Sequence, residues 1–271
     1  MLELDHFTYG FVTPLLAYVT SCIGAATGLS STSRARAART PLERVVWLFV
    51  GAVAIGGTAI WVMHFVAMLG FTVEGMPINY DMATTIFSAL VAIAVVAAGL
   101  FLVGFKGDRL PYLLGGGIIA GLGVAAMHYM GMAAMRLTGH IHYTGWIVGV
   151  SVVIAVVAAT AALWLTVHVR GWLATAGAAM VMGVAVAGMH YTGMAAVHVT
   201  GSPGIPREGV TMFNLIGPLL LVIVGLTLTL TFIVAMWPTE AEMREQEELE
   251  ERIRLAKERA ARASAPRLTT R

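Results

Sequence analysis

Residues 172–197 read WLATAGAAMVMGVAVAGMHYTGMAAV, a run without a single Lys, Arg, Asp or Glu. A helix of that length rises roughly 39 Å at 1.5 Å per residue, enough to cross a hydrocarbon core of about 30 Å. Working outward, six further stretches have the same character, near residues 8–29, 45–70, 81–105, 111–135, 143–167 and 212–237. The chain of 271 residues is 58% AVILMFWYC and 12% charged, with a mean hydropathy of +0.81. Soluble domains sit nearer 45–50% apolar and about 25% charged, so composition argues against an ordinary water-soluble enzyme. The expected fold is all-α: a polytopic membrane protein of seven transmembrane helices.

Charge is placed unevenly. Of the 17 Lys and Arg, fifteen fall on one side of alternate connections, including Arg34, Arg36, Arg39, Arg44, Lys106, Arg109 and Arg170, and only Arg136 and Arg207 on the other. Positive residues stay cytoplasmic, which predicts an outside N-terminus, a cytoplasmic C-terminus and a multi-pass membrane protein. The net charge of +2 gives no sign of a nucleic-acid partner. The acidic opening, Glu3 and Asp5, is unlike a signal peptide. With Cys22 as the single cysteine, neither a disulfide framework nor a Cys-rich metal site is available. Outer connections of roughly 7–14 residues are too short for a separate ligand-binding domain.

Self-comparison of the chain isolates a repeat. Met63-His64-Phe65-Val66-Ala67-Met68, Met127-His128-Tyr129-Met130-Gly131-Met132 and Met189-His190-Tyr191-Thr192-Gly193-Met194 place histidines 64 and 62 residues apart. That period is two spans with their connections, so the helix pairs one–two, three–four and five–six read as three copies of one hairpin, with a seventh helix left over. All three motifs then end near the same membrane face, with the imidazoles at one depth, roughly 9–11 Å below the outer helix ends.

On a helix, i and i+4 share a face. His64 with Met68, His128 with Met132, and His190 with Met194 therefore converge, flanked by Met63, Met127 and Met189. Ala67, Gly131 and Gly193 at i+3 keep the face between them small, so another helix or a ligand can approach. Imidazole with thioether suits a soft ion such as Cu(I) better than zinc, calcium or magnesium. The competing reading is a polar clasp, in which the imidazoles bond across helices or to Tyr129 and Tyr191 and only hold the hairpins together. Cys22 is expected too far inward to join them; His6, His140, His142 and His198 are expected on the outer side as solvent-facing groups or a metal relay. Gly117 and Gly121 read as a close-packing pair, and Pro14 and Pro218 as kinks in the first and seventh helices.

With Met189-His190-Tyr191-Thr192 and the opening His6-Phe7-Thr8-Tyr9-Gly10, residues 6–237 resemble the MHYT family of bacterial integral-membrane proteins. The resemblance implies a seven-helix sensor that binds copper near the outer face and detects a diatomic gas such as oxygen, carbon monoxide or nitric oxide. The first copy departs from the family motif at Phe65 and Val66, and the second at Met130, so the shared chemistry rests on Met, His and the second Met. In many such proteins cyclic-dinucleotide or kinase domains follow; about 34 residues follow Trp237 here, too few for one, and no enzymatic activity is expected.

The division expected is a membrane domain over 1–237 and a charged cytoplasmic helical tail over 238–271. The tail is helical to about Ala263, opened by a capping box at Thr239 and Glu242 and laced by the i,i+4 pairs Glu248/Arg252, Glu250/Arg254 and Glu258/Arg262. Besides the bilayer and a gas ligand, an unknown cytoplasmic signalling partner reached through the tail is implied. The alternatives are a haem-binding membrane electron carrier and a structural membrane protein with no cofactor.

Overall fold

A computed structural model describes residues 3–202, 204, 208–237 and 248–258. Six helices among these are long and apolar enough to cross a membrane: α1 (Val12–Ala37), α2 (Pro41–Met68), α3 (Met82–Lys106), α4 (Leu110–Ala133), α5 (Gly145–His168) and α6 (Trp172–Ala195). A further helix, α7 (Met212–Met236), follows with Pro218 inside it, and its part from Leu221 to Met236 is apolar but shorter than the six. Large apolar side chains such as Leu16, Val153, Val157, Val181 and Val184 remain exposed along the helices, as side chains that face lipid must. The protein is a multi-pass, all-α membrane protein.

Sequential helices pack on one another and α6 returns to α1, which closes six helices into a ring. Small residues set the closest approaches. A Cβ on Gly121 of α4 would lie 2.4 Å from Cα of Val156 on α5, and one on Gly117 would lie 2.8 Å from Cα of Thr160. The pair expected to pack closely does so, against α5.

Helix α2 is regular over Pro41–Ala52, π-helical over Val53–Val62, and regular again over Met63–Met68. Hydropathy is blind to this change from i→i+4 to i→i+5 bonding. Neighbours press on the π stretch: a Cβ on Gly24 of α1 would meet Ala59 N at 2.4 Å, and one on Gly56 would meet Ala92 O of α3 at 2.7 Å. Ser21 donates to the Ala59 carbonyl at 2.8 Å, and Trp61 Nε1 to Ser88 Oγ at 2.9 Å. Thr40 and Glu43 form the capping box that starts α2, with Pro41 in its first turn.

Two sequence expectations need correction. Arg34 and Arg36 lie within α1, which runs eight residues past the expected end of the first span. Arg34 donates to the carbonyls of Ser30 and of Val234 on α7, and its guanidinium lies 5.8 Å from the Trp47 ring centre. Arg36 donates to the carbonyls of Thr166 and Val169, the latter at 3.0 Å. Both charges are thus accommodated at helix ends, where unpaired carbonyls favour cations. Pro14 stands in the first turn of α1, where its missing N–H breaks no helical bond, so it is not a kink there.

The connections after α2, α4 and α6 and the segment before α1 contain short strands. β1 (Leu4–Asp5) pairs with β2 (Thr72–Val73), β3 (Asn79–Tyr80) pairs with both β4 (Met135–Arg136) and β7 (Val210–Thr211), and β5 (His140–Tyr143) pairs with β6 (Val197–Thr200), all antiparallel. They tie together the segments that follow α2, α4 and α6. Asp81 caps α3 by accepting from Thr84 N at 2.8 Å, and Arg136 Nη2 reaches its other oxygen at 3.1 Å. These hydrogen bonds, first those from Thr84 and then that from Arg136, hold its carboxyl down at about 2.

The chain divides into two compact units, residues 1–234 and 235–271. Within the second, α8 (248–258) is helical and carries an Arg254 to Glu258 ion pair at 3.8 Å. The capping box expected at Thr239 and Glu242 lies outside the described residues.

Candidate metal centre

His64, His128 and His190 sit four, five and five residues before the ends of α2, α4 and α6, at equivalent places on three helices. Their imidazoles meet. Candidate ligand atoms of all three lie within 4.8 Å of one another, and each residue is at most 1% exposed. Nδ1 of His64 is 3.0 Å from Nδ1 of His190 and 3.2 Å from Nδ1 of His128. The rings stand edge to face, with centres 4.9–5.1 Å apart.

How the rings meet depends on their protons, one N–H to each neutral imidazole. With the proton of His64 on Nδ1 and those of His128 and His190 on Nε2, His64 donates to its two neighbours; with all three on Nε2, three lone pairs face one another. A cation among the three Nδ1 atoms resolves the second arrangement. Three nitrogens at roughly 2.0–2.1 Å from one ion would be about 3.3–3.6 Å apart, close to the observed separations. No carboxylate joins the group among the described residues, so the donor set is neutral.

The outer edges of the rings explain the small residues of the motif. A Cβ on Gly131 would sit 2.4 Å from Nε2 of His64, and one on Gly193 would sit 2.4 Å from Nε2 of His128. Each of these histidines is received by the i+3 glycine of the next motif copy. Ala67 holds that place in the first copy. Nε2 of His64 and of His128 has no hydrogen-bond partner among the described residues. Sequence spacing singled out these small residues; that a neighbouring imidazole fills the gap is visible only in three dimensions.

The two methionines that every motif shares are buried: Met63, Met68, Met127, Met132, Met189 and Met194 are each at most 2% exposed, whereas Met130 is half-buried. Met189 also lines an apolar cavity of about 60 Å³, walled by Ile60, Val124, Ala155, Ala159, Met182 and Val186 among others.

The ring after each histidine meets it edge to face, with centres 4.8–5.0 Å apart, and makes its other contacts away from the cluster. Tyr129 bonds Ser151 Oγ at 2.7 Å, Tyr191 stacks on Phe7 with ring centres 5.7 Å apart, and Phe65 packs on Trp61 and Tyr80. Thr192 donates to the Gly188 carbonyl of its own helix. The imidazoles therefore contact one another across helices, as a clasp also requires, but not through Tyr129 or Tyr191.

Cys22 packs at Gly183, where a Cβ would meet its Sγ at 2.7 Å, seven residues from His190 along α6. His142 and His198 are paired across β5 and β6 and bond Thr200 and Thr144, and His140 is exposed on the same ladder. His6 packs on Phe71 at 5.2 Å, and burial pushes its pKa down. His168 stacks on Trp164 and faces Asp108 at 3.4 Å.

Comparison with known proteins agrees with the repeat. Residues 57–116, 121–179 and 183–241 match the family MHYT, described as a bacterial signalling protein N terminal repeat. Its period is that of the histidines. Each matched segment starts within a motif-bearing helix and runs through the next, a phase that leaves the first helix over.

The chain is 40% identical over 196 residues to the bifunctional diguanylate cyclase/cyclic di-GMP phosphodiesterase MucR of Pseudomonas aeruginosa, covering 70% of this chain and 28% of that protein. It is 34% identical over 212 residues to the cyclic di-GMP phosphodiesterase NbdA of the same organism, covering 76% and 26%. To the signaling protein YkoW of Bacillus subtilis it is 32% identical over 202 residues, covering 70% and 24%. The chain thus spans about a quarter of the length of these relatives. No solved structure matches.

Proposed function

Since the chain belongs to the MHYT family of bacterial signalling proteins, we propose that it senses a diatomic gas through copper held by His64, His128 and His190. The observation that carries this reading is the meeting of three buried imidazoles from three different helices, with Nδ1 atoms 3.0 and 3.2 Å apart. Copper in the Cu(I) state is the metal best matched to a buried neutral nitrogen set on helices that also bury Met63, Met68, Met127, Met132, Met189 and Met194, the thioethers being soft donors. When bound, such an ion supplies a soft centre at which oxygen, carbon monoxide or nitric oxide binds. The chain's own residues hold it in place and exclude water.

The apolar cavity beside Met189 supports a small apolar ligand. Its volume of about 60 Å³ exceeds the roughly 10–15 Å³ that a single water needs, and its walls offer water little to bond. Haem is less well supported, because imidazole nitrogens at 3.0 and 3.2 Å leave no gap for a porphyrin between them.

The charge bias of the connections supports an inner-membrane protein with the N-terminus outside, so that the gas is read near the outer face. The output is a rearrangement handed along α7 to the tail or to a cytoplasmic signalling partner, with no catalysis by residues 1–237. The test is infrared spectroscopy of the reduced, copper-loaded protein under carbon monoxide. A C–O stretching band that disappears in His190→Ala is expected. Loaded wild-type protein without such a band overturns gas binding, and a Soret absorption in the purified protein would move haem to first place.

A further inference from the structure

At the membrane face opposite the histidines, where α1 ends and α2 begins, lies a second cavity of about 150 Å³. Its wall combines two guanidinium-bearing residues, Arg36 and Arg44, with apolar Leu48, Leu100, Val103 and Val167. Arg36 is fixed in place through the carbonyls of Thr166 and Val169. Arg44 stands in the first turns of α2, half-buried.

The two carboxylates of the connections on this face are engaged elsewhere. The connections α1–α2, α3–α4 and α5–α6, with the helix ends beside them, bring seven Lys and Arg and two acids, Glu43 and Asp108. Glu43 accepts from the backbone N–H groups of Arg39 and Thr40 at 3.0 and 3.4 Å, and Asp108 faces His168. A cavity with a cationic rim, apolar walls and no acid in its lining at a membrane boundary suits an anion that carries hydrocarbon with it.

We propose that this cavity binds the phosphate headgroup of an anionic phospholipid, with Arg44 as its principal contact and Leu48 and Val167 against the glycerol end of the chains. Guanidinium and phosphate form charge-assisted hydrogen bonds of the strong class. A lipid seated there would touch α1, α2, α3 and α5 together.

The test uses the full chain in detergent, with native mass spectrometry reading retained phosphatidylglycerol against phosphatidylcholine. Wild type should retain phosphatidylglycerol about tenfold better, the effect of one lost charge-assisted bond. Arg44→Gln and the charge-neutral, cavity-filling Val167→Phe should each bring the two lipids level, while circular dichroism stays unchanged. Equal retention by wild type overturns the proposal. So does a loss in Arg44→Gln alone, which would put the headgroup on the surface. Binding of inorganic phosphate with no preference between the lipids would replace the lipid with a free anion.

Discussion

Gly131 and Gly193 stand where the site accommodates no Cβ. A methyl group on either would come within 2.4 Å of an imidazole nitrogen, inside any real contact, whereas a Cβ on Gly188 of α6 would meet nothing within 4 Å. Gly131→Ala and Gly193→Ala should therefore displace His64 and His128 and weaken metal binding by roughly 10–100-fold, as lost support of a ligand usually does. Gly188→Ala should leave the affinity unchanged and stabilise its helix by up to about 1 kcal/mol. Competition with a Cu(I) chelator reads both. Equal affinity in all three variants would show that the glycines do not set the imidazoles.

Asp81 makes a second residue-scale prediction. Its folded pKa of about 2 lies below the ~3.9 of an unfolded chain. Its contribution to stability is thus complete above about pH 4 and is lost as the pH falls toward 2. Thermal unfolding of Asp81→Asn should be lower than wild type at neutral pH and should approach it below pH 3. A constant gap between the two across this range would contradict the linkage.

At the scale of elements, α7 is attached by a polar stripe. Thr227 bonds Thr58 in the π-helical stretch of α2, Thr231 bonds Thr27 of α1 at 2.7 Å, and the Val234 carbonyl accepts from Arg34. The π stretch leads directly into His64, so the first histidine and α7 share one support. Thr227→Val should cost about 1 kcal/mol through the buried hydroxyl left on Thr58 and should raise hydrogen exchange over residues 221–234, with metal content unchanged. Unaltered exchange there would remove Thr227 as the attachment.

The apolar runs made the helices legible, since burying backbone polar groups in lipid leaves a spanning segment little alternative to a helix. The π stretch was not legible, because Val53–Val62 is as apolar as an α-helix there would be. The C-terminal end of α1 departs from its reading for a similar reason: charge argues for a loop, and the carbonyls of Ser30, Val234, Thr166 and Val169 make Arg34 and Arg36 acceptable within the helix. Pairs such as Leu4–Asp5 with Thr72–Val73 are too short to carry a pattern, although the alternation in His140–Tyr143 and Val197–Thr200 was available to be read.

At the scale of the whole molecule, three copies of one motif close around a point. The 64- and 62-residue spacing already required the histidines to share a depth; that their Nδ1 atoms face inward follows from how the ring of helices closes, which periodicity does not specify. The cavity beside Met189 is likewise a property of the assembled bundle. Filling it with Ala159→Leu should slow carbon monoxide rebinding after photolysis by several-fold while leaving copper content and the equilibrium spectrum near wild type. Unchanged kinetics would exclude the cavity from the ligand's path.

The central claim is that the three imidazoles hold one copper ion. It is met most directly by counting copper per chain in the purified protein and in the variant with His64, His128 and His190 all replaced by Ala, both inserted in the membrane. The account predicts about one copper in wild type and none in the variant. Stoichiometric copper in the variant, or none in wild type under either reducing or oxidising conditions, would contradict it and leave the histidines as a clasp between helices.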